Sequence, residues 1–167
     1  MDKSSKLWEY LSPEEKDLIS DSEYLSEQAK ASSRVLTDYS YIVFPVSKAY
    51  EGFLKKIMLD LEVINQAQYE SDHFRIGKAL NPFIEPYLKA ESYFDKICEK
   101  LGTDLANTLW DHWKKGRNLL FHYFPNHLQC IRLTEAEEIN KGLLAVMEKT
   151  INQINITNQD KVAENNE

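Results

Sequence analysis

Glycine and proline are scarce, five of each in 167 residues, and no strand-like alternation is long enough to build a sheet. Charged residues make up 28% of the chain and alternate with apolar ones, the texture of a globular helical protein. No apolar run approaches the length of a membrane span and no signal peptide is evident, so a cytoplasmic protein without a membrane partner is expected. The two cysteines, Cys98 and Cys130, lie apart without CxxC spacing and read as thiols of a helical core. No internal repeat, glycine-rich phosphate loop or serine-centred nucleophile motif occurs, which argues against nucleotide hydrolysis and serine catalysis. Glu70-Ser71-Asp72-His73 has Glu-x-x-His spacing, but a di-iron bundle needs a second such pair and two more acids on facing helices. No metal and no cofactor are therefore expected.

The formal net charge is −7, which disfavours a protein that coats nucleic acid non-specifically. The charge is unevenly spread. Residues 1–33 carry eight acids against four bases, and residues 134–167 carry seven against three. Residues 112–132 carry Lys114, Lys115, Arg117 and Arg132 and no acid. An acidic body with one basic island suits an enzyme that grips a few phosphates, or one held in check by another protein.

Helical signals are frequent. Ser12-Pro13-Glu14-Glu15 reads as a capping box with proline at the first helical position, opening a helix to about Arg34. From Tyr41 to Ile64, apolar residues recur at intervals of three and four, the period of an amphipathic helix, with Pro45 starting or kinking it. Gln66–His73 is polar and reads as a connection. Asn81-Pro82 reads as the cap of a helix running to about Leu101, which Gly102 ends. Thr103 or Asp104 then caps a helix expected to end near Pro125, and Thr134-Glu135-Ala136-Glu137 is a second capping box before a last amphipathic helix. The expectation is an all-α, up-and-down bundle of four to five helices. Residues 1–11 are expected as a flexible N-terminus, 12–155 as one helical domain, and 156–167 as a disordered polar tail.

The basic island contains Arg117-Asn118-Leu119-Leu120-Phe121-His122. An arginine's planar fork matches phosphate oxygens, and a histidine can move a proton near neutral pH. Together they form a kit for cutting RNA without a metal. On a straight helix Leu105, Leu109, Trp113, Gly116, Leu120 and Tyr123 share one face, while Asn118 and His122 lie roughly opposite. Arg117 falls at the edge of that stripe, about 140° from His122, so the two would border one cleft. Lys114 and Lys115 flank them as candidate substrate-binding cations. His122 can also be read as a core histidine satisfied by hydrogen bonds, or as part of a solvated face. Leu119 and Phe121 argue against the second alternative, because apolar residues beside a polar face suggest a rim that another surface covers. Arg–His spacing alone is common; the adjacent asparagine, the helical setting and the capped helix that follows add specificity.

The stretch from about Ser40 to Ile154 resembles a HEPN domain, and its order of elements is similar to the HEPN ribonuclease domain of RNase LS-type toxins of bacterial toxin–antitoxin systems. The likeness rests on Phe44-Pro45-Val46-Ser47-Lys48-Ala49-Tyr50-Glu51-Gly52-Phe53-Leu54, on Arg117 to His122, and on Leu133-Thr134-Glu135-Ala136-Glu137. It implies a metal-independent endoribonuclease, a homodimer with paired motifs facing one another, and a cognate antitoxin protein as a further partner. It also implies Glu51, Arg117 and His122 as the catalytic set, with Asn118 orienting the arginine or the RNA. Glu51 lies about 130° from the centre of its helix's apolar stripe, with Lys55 at i+4, so a surface ion pair with Lys55 is the competing reading. Two rivals remain. One is a non-catalytic HEPN partner of a minimal nucleotidyltransferase, whose motif continues His-x-Tyr where this chain has Phe124. The other is a helical interaction module in which Arg117 and His122 only organise a dimer.

Overall fold

The computed structural model describes residues 2–85, 87, 92–118, 120–122 and 130–164, with side chains described as far as residue 154. Eight α-helices and no strand occur among the described residues, and the architecture is an all-α bundle. Five helices are longer: α2 (Pro13–Ala31), α3 (Ser40–Asp60), α6 (Phe94–Leu101), α7 (Thr103–Trp113) and α8 (Leu133–Glu164). The others, α1 (Lys6–Tyr10), α4 (Gln66–Glu70) and α5 (Ile76–Ala79), are too short for a hydrophobic period to reveal them. Between α7 and α8 the chain makes a π-helical turn at Lys114–Asn118.

The central element is α3, which packs against α2, α7, α8 and the π-helical turn. Ile42, Val43, Val46, Ala49, Tyr50, Phe53, Leu54, Ile57 and Met58 are all buried, so more than one face of α3 meets protein. Pro45 sits inside the helix near its start, where its missing N–H costs one backbone bond to exposed Tyr41. The start of α3 is tied to the approach to α8. Tyr39 N donates to Ile131 O at 3.0 Å, and Ile131 N donates to an Asp38 carboxylate oxygen at 3.1 Å. Those bonds return the chain after the Arg–His motif to the N-terminal end of α3.

Several local signals read as expected. Ser12 Oγ accepts from Glu15 N at 3.2 Å while a Glu15 oxygen accepts from Ser12 N at 2.9 Å, with Pro13 in the first turn. Gly102 ends α6 at φ +80°, a conformation that other residues resist. Other signals were displaced. Residues 1–11 do not form a flexible arm throughout: α1 buries Leu7, and Leu11 joins the core behind it. The apolar content of Leu7, Trp8, Tyr10 and Leu11 outweighs the polar flanks. Gln66 opens α4, capped by the Asn65 side chain. No helix starts at Asn81; residues 81–85 are irregular and α6 begins at Phe94. Gly102 rather than Thr103 or Asp104 precedes α7, and no side chain caps that end. The last helix begins one residue before Thr134, with Glu135 accepting from Arg132 N at 2.7 Å, and its backbone continues through residue 156, where the polar tail was expected to begin. Cys98 is half-buried, its thiol pushed up by burial, whereas Cys130 is exposed and not a core thiol.

Candidate active site

The site is built on the junction where α7 passes into the π-helical turn. Up to Trp113 the helix is regular, and Leu105, Ala106, Leu109 and Trp110 are buried. Beyond it the backbone widens over Lys114–Asn118, as single-turn π segments often do at functional sites. Widening changes the angle between successive side chains, so positions projected on a straight α-helix do not hold past Trp113. Gly116 and Leu120 are buried, as their place on the apolar face implies. Arg117, Asn118 and Phe121 are half-buried, and His122 is exposed just beyond the helical stretch rather than within it. Lys114 and Lys115 are exposed. Leu119 and Tyr123, along with the expected helix end near Pro125, lie outside the described residues.

Two buried hydroxyls of α3 hold this junction in place. Tyr50 donates to Leu109 O at 2.9 Å; burial pushes its phenol pKa well up, so the proton needed for that bond stays on. One turn earlier, Ser47 Oγ donates to Gly116 O at 2.6 Å. Gly116 leaves little room for a side chain. A Cβ there would stand 3.0 Å from Leu143 Cδ1 and 3.1 Å from Cδ2, inside the packed core under α8. Sequence reasoning did not single out Ser47. Its signal was its spacing: Phe44, Ser47, Lys48 and Glu51 stand at i, i+3, i+4 and i+7 on one face of α3.

That face carries the contacts that complete the site. Arg117 Nε lies 2.9 Å from Glu51 Oε2, joining residues 66 positions apart in the chain. Their side chains are 37% and 32% exposed, so the pair is shielded from bulk water yet reachable. Lys55, the alternative partner for Glu51, donates instead to Ser71 O at 3.2 Å and stands over the Tyr69 and Phe74 rings. Two turns towards the start of α3, the Phe44 and Phe121 rings meet edge to face with centroids 5.4 Å apart. Phe121 therefore has an apolar partner within its own chain. Lys48 Nζ stands 5.9 Å from the Phe44 centroid.

Glu51, Arg117 and Phe121 thus come from two segments that one junction brings together, with His122 next to Phe121 in the chain, in a stretch that one known family covers. The family model described as RNase LS, bacterial toxin DBD domain, matches residues 12–123. The chain belongs to this family. The match begins at the Ser12 cap of α2 and ends just past His122, about two thirds of the chain. It contains every candidate site residue. Helix α8, which supplies Leu143 beneath Gly116, follows the matched stretch. No curated protein and no solved structure matches the chain to a significant degree.

The arrangement has definite chemical capacity. A carboxylate on Nε fixes the plane of a guanidinium and leaves the Nη1–Nη2 edge able to fork onto two phosphate oxygens. Because the pair is partly exposed, its net contribution to folding is small, about 0.2–1 kcal/mol. Its worth lies in orientation. Among the described residues, no three His, Cys, Asp or Glu side chains cluster as ligands would, and Glu70 ends α4 while His73 lies in the turn after it.

Proposed function

We propose that this protein is a metal-independent endoribonuclease of the HEPN type, acting as the toxin of a toxin–antitoxin pair or in phage defence. The observation that carries the proposal is the Arg117–Glu51 ion pair at 2.9 Å. Membership in a bacterial RNase LS toxin family supports the same reading. Arg117 holds the scissile phosphate and counters charge as the phosphorane forms. Glu51 sets the plane of the arginine. Half-buried Asn118, next in the chain, orients the arginine or the RNA, and exposed Lys114 and Lys115 draw in neighbouring phosphates.

His122 performs proton transfer, a task an imidazole can carry out near neutral pH. The RNA 2′-hydroxyl loses its proton and attacks the adjacent phosphorus, forming the 2′-O–P bond. The P–O5′ bond breaks, and the departing oxygen takes a proton. The products are a 2′,3′-cyclic phosphate and a 5′-hydroxyl. One imidazole cannot act as base and acid in the same step, so a homodimer that faces two motifs supplies both, together with two arginines. Leu119 and Phe121 are the residues assigned to that interface, with Phe121 sharing its ring surface with Phe44.

The test is cleavage of RNA in EDTA by the intact chain, with end-group analysis. Arg117→Ala and His122→Ala should each lower the rate by orders of magnitude while circular dichroism is unchanged. Both side chains are at least partly exposed, so the fold does not depend on them. Sedimentation should show a dimer that Leu119→Glu disrupts. Wild-type rates in His122→Ala, or activity that needs a divalent ion, would overturn the mechanism. A confirmed dimer that cleaves no RNA would favour the interaction module.

A further inference from the structure

Phe44 is 46% exposed in the body of α3, between the buried residues Val43 and Pro45. Its immediate surroundings are fixed. Phe121 packs edge to face against it with an interplanar angle of 79°, which limits how the ring can turn. Lys48, also exposed, reaches the ring from one turn further along. Glu51 lies two turns along the same helix, about 10 Å by helical rise, and there it grips Arg117.

We infer that Phe44 is a stacking platform for an unpaired nucleobase of single-stranded RNA, with Lys48 taking the phosphate beside that base. The inference rests on the reading of Arg117 as the residue that holds the scissile phosphate. The chemistry favours a polynucleotide over a second protein surface. An exposed aromatic with Lys48 against its ring, packed on Phe121 of the motif segment that also carries exposed Lys114 and Lys115, offers a π-face with cations, the pattern that tracks single strands. The core of a subunit interface is by contrast depleted of lysine. A duplex keeps its bases stacked on one another and has none to offer the ring. The contact between Lys48 and Phe44 is an exposed cation–π interaction, weaker than stacking of a base on an aromatic ring. An arriving base therefore displaces the ammonium, whose flexible stem lets it move to the adjacent phosphate.

The experiment is fluorescence anisotropy of the full chain with a short labelled 2′-O-methyl oligoribonucleotide, which lacks the attacking hydroxyl, presented as a single strand and as a duplex. The single strand should bind more tightly. Phe44→Ala and Phe44→Leu should each weaken that binding by about 5- to 100-fold, while Phe44→Trp should retain it. Lys48→Ala should lower affinity and reduce the salt slope by about one. Sedimentation should give the same mass for wild type and Phe44→Ala. A duplex bound as tightly, affinity unaltered in Phe44→Ala, no binding of the probe at all, or a dimer lost in Phe44→Ala would each overturn the platform. Failure of the cleavage reading is separable. Phe44-dependent binding by a wild type that cuts no RNA removes the ribonuclease and leaves the platform, whereas cleavage with Phe44-independent binding does the reverse.

Discussion

Replacing Ser47 by alanine isolates the part of the structure that places Arg117. The hydroxyl has one proton and two carbonyls in reach, Gly116 O at 2.6 Å and Val43 O at 3.0 Å. Val43 O is the i−4 carbonyl of α3 and already accepts the Ser47 backbone N–H in a regular helix. Gly116 O, in the π-helical turn, is therefore the group that loses by the substitution. Leaving a buried acceptor without its donor costs about 1–3 kcal/mol, or about 2–12 °C in Tm for a domain of this size. Ser22 provides the control. It is equally buried and donates to Ile42 O at 2.6 Å while accepting from Asn140, where α2 and α8 meet α3. Ser22→Ala removes a buried hydroxyl of the same kind without touching the turn, and its melt sets the general cost of such a loss. Displacing a catalytic group by about 1 Å can cost a hundredfold in rate, so Ser47→Ala should slow RNA cleavage about ten- to a hundredfold more than Ser22→Ala does. Thermal melts and initial rates, measured below both melting temperatures, decide the matter. Equal rates in the two variants would refute the argument that Ser47 positions the site.

Three further outcomes are expected. Glu51→Ala should change stability by no more than about 1 kcal/mol, because the ion pair is partly exposed, yet it should lower cleavage well below wild type by freeing Arg117; an unchanged rate would return Glu51 to a surface role. Leu7→Ala should destabilise by about 2–5 kcal/mol in denaturant titration, since Leu7 is 1% exposed, whereas a frayed N-terminus would give no shift. Two glutamates should bend the pH profile in opposite senses. Burial raises the Glu15 pKa above its ordinary 4.5, so its contribution is most favourable below 4.5 and is lost as pH rises through the raised value. Hydrogen bonds from Lys30 and then Ser26 lower that of Glu137 from 4.5, so its contribution is present above 4.5 and is lost as pH falls through the lowered value. Melts across pH should show Glu15→Gln more stable than wild type near neutrality and Glu137→Gln less stable there, both differences shrinking in acid.

The chain's own pattern determined that the protein is helical, where α2 begins, that Gly102 ends a helix, and which face of α7 is buried. These are local matters. A capping box is closed by residues three apart, and an amphipathic stripe is visible at a period of three to four wherever one face meets a core. The same pattern marked Arg117, Asn118 and His122 as candidates, because residue type and a basic stretch free of acids need no tertiary information. Three things depended on packing. The π-helical turn sits where Gly116 lies close under Leu143 and gives its carbonyl to Ser47, neighbours far away in sequence. The burial of α1 came from apolar side chains too few to show a period, which find their place only against the assembled bundle. Glu51 had one cation near it in sequence, Lys55 one turn away, while the family resemblance grouped it with Arg117 far along the chain. The local choice failed because α4 and the turn after it draw Lys55 to Ser71 and two aromatic rings, while the packing of α3 against the π-helical turn delivers Arg117 to the carboxylate.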